Sequence, residues 1–180
     1  MNLTYTFANK LFSKERIKEL NEQINKNLIK SNDSPASDAV KTSTVKFLKY
    51  NSIEKLIKPF VEFSYQSNEK IFGFDLFPLG PDKILNYNIY EEGTEYNWHF
   101  DGTEALDKKD IKLTCLLNCS EESCTGGDLS LFVNGEMKCK ELDIPGTAIV
   151  FPSFINHKVS KLTSGSRKTL AIWMYGKKFR

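Results

Sequence analysis

From residue 71 onward the chain consists of short apolar runs rich in β-branched and aromatic residues, separated by glycine, proline and asparagine. The runs cover residues 71–77, 84–90, 112–117, 128–133, 147–151 and 169–175. Such runs predict strands, and many short strands at spacings of roughly 10–20 residues are typical of antiparallel sandwiches and jelly rolls. Asn134-Gly135, between two apolar runs, predicts the tight turn of a hairpin.

The first 70 residues have the pattern of helices instead. Apolar residues recur at helical spacing from Ile17 to Leu28, and Ser13 before them is a good N-cap. A second helical run starts at Ser52, a candidate N-cap, and Pro59 within it is expected to bend or split the helix. The sequence therefore predicts a mainly β protein with N-terminal helices, an α+β chain whose helices pack on a β-sandwich.

Composition agrees with one globular domain over residues 1–180, with 1–70 as a helical support layer and 71–180 as the β core. Hydrophobic residues make up 40% of the 180, and 13 Phe, 7 Tyr and 2 Trp supply enough bulky surface for one core. No apolar run approaches the roughly 18 residues of a membrane span. The first ten residues lack the pattern of a secretory signal. We therefore expect a cytoplasmic protein that does not act at a membrane.

Charge and cysteine content exclude further classes. A pI near 8.2 does not support nucleic-acid binding, although residues 144–180 hold seven bases and no acid. The four cysteines form no CxxC pair, so we expect neither a zinc site built from them nor disulfides. Cys115, inside an apolar run, is expected in the core.

The two histidines of the chain are the first candidates for chemistry. His99 and Asp101 are two residues apart, so on a strand their side chains share a face and their Cβ atoms lie roughly 6–7 Å apart. His157 would complete a set of two histidines and one carboxylate from a distant strand. Such a set is typical of non-heme Fe(II) oxygenases. It could equally hold zinc, as in hydrolases with two histidines and a glutamate.

The residues around this set carry a family resemblance. The segment from Tyr90 to Asp101, YEEGTEYNWHFD, resembles the Y-x-x-G-x-x-Y-x-x-H-x-D segment of the prolyl 4-hydroxylase-like branch of the 2-oxoglutarate/Fe(II) dioxygenases. Four further blocks follow in the family's order: GGDL at 126–129, PGTAIVF at 145–151, HKV at 157–159 and SRKTLAIW at 166–173. The resemblance covers about half of the chain and implies a double-stranded β-helix, which is a jelly roll.

The resemblance also implies roles for eight residues. They are the Fe(II) ligands His99, Asp101 and His157, the 2-oxoglutarate contacts Arg167, Tyr90 and Thr114, and the substrate-side residues Tyr96 and Trp173. Arg167 has the chemistry for its role, because a guanidinium offers a carboxylate a planar, two-pronged match and keeps its charge when buried. The polar loop at 102–110 is implied to fold over the substrate.

The implied activity is hydroxylation of a substrate C–H bond with Fe(II), 2-oxoglutarate and O2, supported by ascorbate. The implied substrate is a peptidyl proline in a peptide or protein; a free amino acid or another protein residue is the alternative. A nucleic-acid demethylase on the same fold is a rival, but those relatives usually carry a second arginine soon after the first, and residues 168–175 contain none. A non-catalytic jelly-roll binding module is the remaining alternative.

Overall fold

The computed structural model describes residues 4–29, 40–102 and 109–178. The helices in these ranges are α1 (Lys14–Lys26) and α2 (Glu54–Ser67). The strands are β1 (Thr6–Ala8), β2 (Thr44–Lys49), β3 (Ile84–Tyr90), β4 (Tyr96–His99), β5 (Lys109–Asn118), β6 (Thr125–Gly126), β7 (Leu129–Phe132), β8 (Glu136–Lys138), β9 (Ala148–Pro152), β10 (His157–Val159), β11 (Leu162–Ser164) and β12 (Arg167–Lys177). Short 3-10 turns lie at Tyr50–Ser52 and Lys140–Asp143, and a π-helical turn lies at Asn68–Phe72.

The strands form two facing antiparallel sheets, as the jelly-roll prediction requires. The large sheet has the order β1-β9-β5-β12-β3-β2, the smaller one β4-β10-β7-β8, and β11 pairs with β6 beside them. Along β5, Leu113 and Cys115 belong to the cluster that packs against the helices, and Leu116 belongs to the cluster between the sheets. The large sheet therefore has two buried faces, and the site described below lies on the inner one.

The helices cover the outer face of the large sheet. The predicted stripe of α1 is buried, including Ile17, Leu20 and Ile24, and Ser13 Oγ accepts a hydrogen bond from Arg16 N at 3.3 Å. Burial of each such side chain contributes about 1.5–3 kcal/mol to folding. The predictions of the Ser13 N-cap, of α1 as far as Ile24 and of a core position for Cys115 are thus confirmed, whereas Leu28 lies beyond the helix and bridges to Leu48. Within the described ranges, no helix is both long enough and apolar enough to cross a bilayer.

Three predictions for the first half of the chain are wrong in detail. The region 1–70 is not purely helical, because Thr44–Lys49 forms edge strand β2 of the large sheet. Ser52 does not cap α2; its hydroxyl donates to Lys49 O, and the helix begins after Ile53. The helix is also not split at Pro59, because it continues to its end at Ser67, and a bend at the proline stays a prediction. The buried side of α2 packs on the sheet, and this packing outweighs the one backbone hydrogen bond that proline removes.

The predicted strand at 71–77 is also wrong, whereas the other five runs and the hairpin are confirmed. This segment forms the end of the π-helical turn and then an irregular stretch with one isolated bridge, Leu76 to Gly176. Its apolar residues Phe72, Phe74 and Leu76 pack against the helix-side core without strand pairing. The Asn134-Gly135 turn joins β7 to β8, and Asn134 has the positive φ, 54°, that such turns use.

Candidate active site

Two neighbouring strands bring the three candidate metal ligands together. His157 on β10 and His99 on β4 are direct partners in the antiparallel pair. Asp101 follows β4, and its backbone N–H donates to Ser153 O at 3.0 Å. Its carboxylate lies 3.9 Å from His99 Nε2 and 3.6 Å from His157 Nε2. One donor atom from each residue lies within 4.8 Å of the other two, so the three side chains can share one ion.

Backbone carbonyls set the orientation of both imidazoles. His99 Nδ1 lies 2.7 Å from Asn97 O, and His157 Nδ1 lies 2.9 Å from Ile155 O. A carbonyl only accepts, so each Nδ1 carries the proton and each Nε2 keeps its lone pair for the site. Burial, and next the neighbouring His157, lower the pKa of His99 to about 4. His99 is therefore neutral at physiological pH, the form that binds a metal.

Thr114 and Tyr96 support the metal ligands directly. Thr114, predicted as a cosubstrate contact, donates from Oγ1 to Asp101 Oδ2 at 2.5 Å and lines the same pocket. Tyr96, predicted on the substrate side, stacks on His99 with ring centroids 3.5 Å apart and planes 11° apart. Both residues therefore position ligands, and their predicted contacts with cosubstrate and substrate stay predictions.

Arg167 and Tyr90 form the charged part of the pocket. They are direct partners in the β12–β3 pair, and the Arg167 guanidinium carbon lies 5.3 Å from the Tyr90 ring centroid. Arg167 is only 3% exposed. Among the described residues no carboxylate lies within 4.0 Å of its guanidinium, and burial lowers the pKa of Arg167. A buried cation without an acidic partner is costly, so the site is suited to an anionic ligand.

The double glycine makes room for this arginine. A Cβ on Gly127 would lie 3.0 Å from Arg167 Cδ and 2.9 Å from Leu162 Cδ1. Gly127 also has φ +69°, a conformation that other residues rarely adopt. The GGDL block seen in the sequence thus has a physical role, which is to let the arginine side chain pass close to the backbone.

Trp173 offers a donor to the same pocket. Its side chain lines the pocket beside Thr114 and His157. Its Nε1 is buried and, within the described ranges, has no hydrogen-bond partner. A buried indole N–H usually finds an acceptor, so this atom is suited to a group on a bound ligand.

Lys41 is a pocket residue that the sequence reasoning missed. The segment 40–42 runs beside β4, where Asn97 N donates to Val40 O at 2.7 Å. Lys41 Nζ donates to Asn88 Oδ1 at 2.9 Å and lies 4.5 Å from the Tyr96 ring centroid. Asn88 was missed as well. Asn88 lies two residues before Tyr90 on the predicted strand 84–90, so strand alternation could have placed it on the pocket face, whereas no motif marks Lys41.

All eight predicted site residues line one pocket. The loop at 102–110 that was predicted to cover the substrate lies largely outside the described residues. The donor set, two imidazole nitrogens and a carboxylate, fits Fe(II), and the buried Arg167 fits the distal carboxylate of 2-oxoglutarate.

Comparison with known proteins agrees with this chemistry. The family model described as the 2OG-Fe(II) oxygenase superfamily matches residues 85–175, half of the chain. The chain belongs to this superfamily. A PKHD-type hydroxylase of Shewanella frigidimarina is 33% identical over an alignment of 104 positions, and the match covers 52% of this chain and 45% of that relative. The chain spans less than half the length of the curated relatives that it matches.

Solved structures of the superfamily share the fold. A prolyl-4-hydroxylase from Pseudomonas putida matches with a TM-score of 0.73 and 14% identity, covering 97% of this chain and 94% of that one. A Trichoplax adhaerens prolyl hydroxylase, in complex with a hypoxia inducible factor peptide fragment, matches with a TM-score of 0.68 and 14% identity, covering 97% and 84%. At this identity the likeness concerns the fold, and it confirms the double-stranded β-helix.

Membership in the 2OG-Fe(II) oxygenase superfamily decides between the alternatives for the metal. The superfamily uses Fe(II) and 2-oxoglutarate, and the pocket holds donors suited to both. The metal for this set of ligands is therefore iron rather than the zinc of a hydrolase. Membership in an oxygenase superfamily also argues against a non-catalytic binding module.

Proposed function

We propose that this chain is an Fe(II)- and 2-oxoglutarate-dependent dioxygenase that hydroxylates a peptidyl proline. The observation that carries the proposal is the meeting of His99, Asp101 and His157 in the same pocket as the buried Arg167. A metal-ligand set alone would suit several enzymes. A metal-ligand set together with a buried cation suits an enzyme whose second reactant is a carboxylate that also binds the metal.

The protein's own residues hold and orient the reactants. His99, Asp101 and His157 hold the iron, which together with O2 and 2-oxoglutarate supplies the oxidising chemistry. The carbonyls of Asn97 and Ile155 keep both Nε2 atoms aimed at the ion. These contacts fix the geometry before any ligand arrives.

The cosubstrate end of the pocket is equally specific. Arg167 pairs with the distal carboxylate of 2-oxoglutarate, and the Tyr90 ring beside it keeps water from the pair. The free indole N–H of Trp173 donates to an oxygen of a bound reactant. Tyr96 and Trp173 lie on the substrate side of the metal.

The proposal of peptidyl proline as the substrate rests on structures with the same fold rather than on the pocket itself. Two structures with the same fold are prolyl hydroxylases, and one of them holds a peptide. We place the activity in a single domain spanning residues 1–180, and the cytoplasmic location stays a prediction. A free amino acid or another protein residue is the alternative substrate.

The first experiment tests the metal and cosubstrate. Anaerobic addition of Fe(II) and then 2-oxoglutarate should produce the weak visible charge-transfer band of the chelate. Folded protein that gives no band would contradict the proposal. Asp101→Ala should abolish 2-oxoglutarate turnover, whereas Asp75→Ala, which removes an exposed carboxylate paired with Lys177, should not.

The second experiment tests the substrate. Proline-containing peptides incubated with the protein, Fe(II), 2-oxoglutarate and ascorbate should gain one oxygen by mass spectrometry. Tandem fragmentation then locates the oxygen. Succinate formation together with oxygen on a residue other than proline would replace proline as the substrate while keeping the dioxygenase activity.

A further inference from the structure

A second cavity, of about 400 Å³, lies beside the end of β12. It is lined by the loop Phe77–Lys83, by Lys109 at the start of β5 and by Tyr175. None of these residues lines the pocket that holds the metal ligands. We call this space the lysine cavity.

The loop wall of the lysine cavity is held by specific hydrogen bonds. Tyr65 Oη donates to Phe77 O at 3.3 Å and accepts from Leu79 N at 3.0 Å. Phe77 N donates to Tyr175 O at 2.8 Å, which ties the loop to β12. The cavity therefore has its shape before a ligand binds, and binding would not have to order the loop.

Two ammonium groups lie over one aromatic ring in this cavity. Lys83 Nζ lies 3.9 Å and Lys109 Nζ 4.8 Å from the Tyr175 ring centroid. In the described part of the chain no carboxylate lies within 4.0 Å of Lys83 Nζ, and the adjacent Asp82 pairs with Lys49 at 2.8 Å instead. Burial, and next the charge of Lys109, lower the pKa of Lys83 to about 8. Both lysines line the same cavity, and two cations in the wall of one cavity attract an anion.

The lysine cavity lies close to the metal ligands. Tyr175 follows Trp173 by two residues on β12, and residues two apart on a strand lie roughly 6–7 Å from each other. Trp173 lines the metal-ligand pocket and Tyr175 lines the lysine cavity, so the two spaces share the end of β12. An extended chain advances about 3.3 Å per residue, so a group in the cavity would be about two to four residues from a target at the metal.

We propose that Lys83 and Lys109 bind a carboxylate of the substrate, so that the enzyme selects targets with an acidic group a few residues from the hydroxylated position. The inference rests on the proposed function, since it needs a substrate at the metal. The carboxylate belongs to an aspartate or glutamate side chain, or to the C-terminus of the substrate. In each case the centroid of the Tyr175 ring lies within 4.8 Å of both ammonium nitrogens.

The test is a binding measurement with matched peptides. The protein is loaded with Mn(II) and 2-oxoglutarate, and each peptide carries one proline with Glu or Gln two, three or four residues to either side. A second series compares a free C-terminus with a carboxamide, which separates the two sources of the carboxylate. In one series we expect an acidic peptide to bind about 10-fold more tightly than the matching amide, which corresponds to about 1.4 kcal/mol.

Variants of the two lysines test whether the preference for an acidic peptide arises in the lysine cavity. Lys109→Gln, at an exposed position, and Lys83→Gln should each reduce the ratio of acid to amide affinity toward one. Lys55→Gln, which removes an exposed charge from α2, should leave the ratio unchanged. Lys109→Gln serves as the reporter if Lys83→Gln does not fold.

Each result has one meaning. Equal affinity for acid and amide, no binding by any peptide, or a preference that survives Lys109→Gln overturns the inference. A stronger preference for phosphoserine than for glutamate overturns the choice of a carboxylate. The charge-transfer band of the wild type with Fe(II) and 2-oxoglutarate separates the two proposals, because its presence keeps the dioxygenase when the inference fails.

Discussion

His99 and His157 are direct partners across two antiparallel strands, with imidazole centroids 4.1 Å apart, although 58 positions separate them in sequence. The next residue pair along these strands is Val159 with Tyr96, so an advance of three residues along β4 corresponds to an advance of two along β10. This bulge turns Tyr96 to the same side as His99, where the two rings stack. The stacking of Tyr96 on His99 therefore depends on one irregularity of the small sheet.

Metal binding should stabilise the fold through His157. Because Mn(II) binds the folded site, saturating ion at about 100 times its Kd adds about 2.7 kcal/mol and raises Tm. His157→Gln should remove most of this rise, as measured by calorimetry with and without Mn(II). Lys158→Gln changes the next residue, whose ammonium pairs with Glu136, and should keep the full rise. An equal rise in all three proteins would mean that the ion binds elsewhere.

The hydroxyl of Thr114 should strengthen metal binding through Asp101. Its hydrogen bond holds one carboxylate oxygen, and loss of such a contact typically costs 10- to 100-fold in metal affinity. Thr114→Val should show this loss in a titration with Mn(II), whereas Thr114→Ser, which keeps a hydroxyl, should bind close to normally. Normal affinity in the valine variant would mean that the carboxylate needs no such support.

Gly127→Ala should weaken 2-oxoglutarate more than the metal. The added methyl would crowd Arg167 Cδ at 3.0 Å and displace the guanidinium from the pocket. We expect at least about 10-fold weaker 2-oxoglutarate binding in the Mn(II)-loaded protein, since one charged hydrogen bond is worth that much. Gly73→Ala is the matched control, because Gly73 has the same φ of +69° and open space around it. Equal loss in both variants would attribute the effect to the backbone alone.

The stability of Lys83→Met should depend on pH. The folded pKa of Lys83, about 8, lies below its ordinary 10.5, so between these values the unfolded chain binds more protons and the stability of the wild type rises with pH. At pH 7 both states carry the charge and its burial opposes folding. Lys83→Met should therefore have the higher Tm at pH 7, with the gap narrowing toward pH 10.

A matched variant separates this effect from a general effect of methionine. Lys55→Met changes an exposed lysine on α2 and should shift Tm little, and equally, at pH 7 and pH 10. A gap between wild type and Lys83→Met that stays constant across this range would show that Lys83 titrates in the folded protein as it does in the unfolded chain. The burial of its ammonium would then carry no cost.

Much of the fold was predictable because its signals are local. The stripe of α1 and its Ser13 cap lie within a few turns of one helix, and the run at 84–90 coincides with β3. The motifs also named candidate metal ligands and Arg167, because they keep residue types in a fixed order, and the roles of these residues stay predictions. For α1 and β3 the determining residues are close neighbours in the chain.

The errors have the opposite character. Residues 71–77 alternate like a strand, yet they have only one bridge, because the apolar side chains are already buried against the helix-side core. Residues 44–49 became a strand because the exposed edge of β3 was available to pair. A local sequence pattern does not indicate which strand edge is available for pairing or which face of a sheet is already buried.

The amino-acid sequence by itself determined which side chains can do the chemistry: two imidazoles, one carboxylate and one guanidinium in a recognisable order. Only the tertiary structure decided that Thr114 holds Asp101, that Lys41 enters the pocket, and that Lys83 and Lys109 share the ring of Tyr175. The physical reason is distance along the chain. Such contacts join segments 13 to 92 residues apart, and their partners are set by sheet register and packing rather than by local propensity.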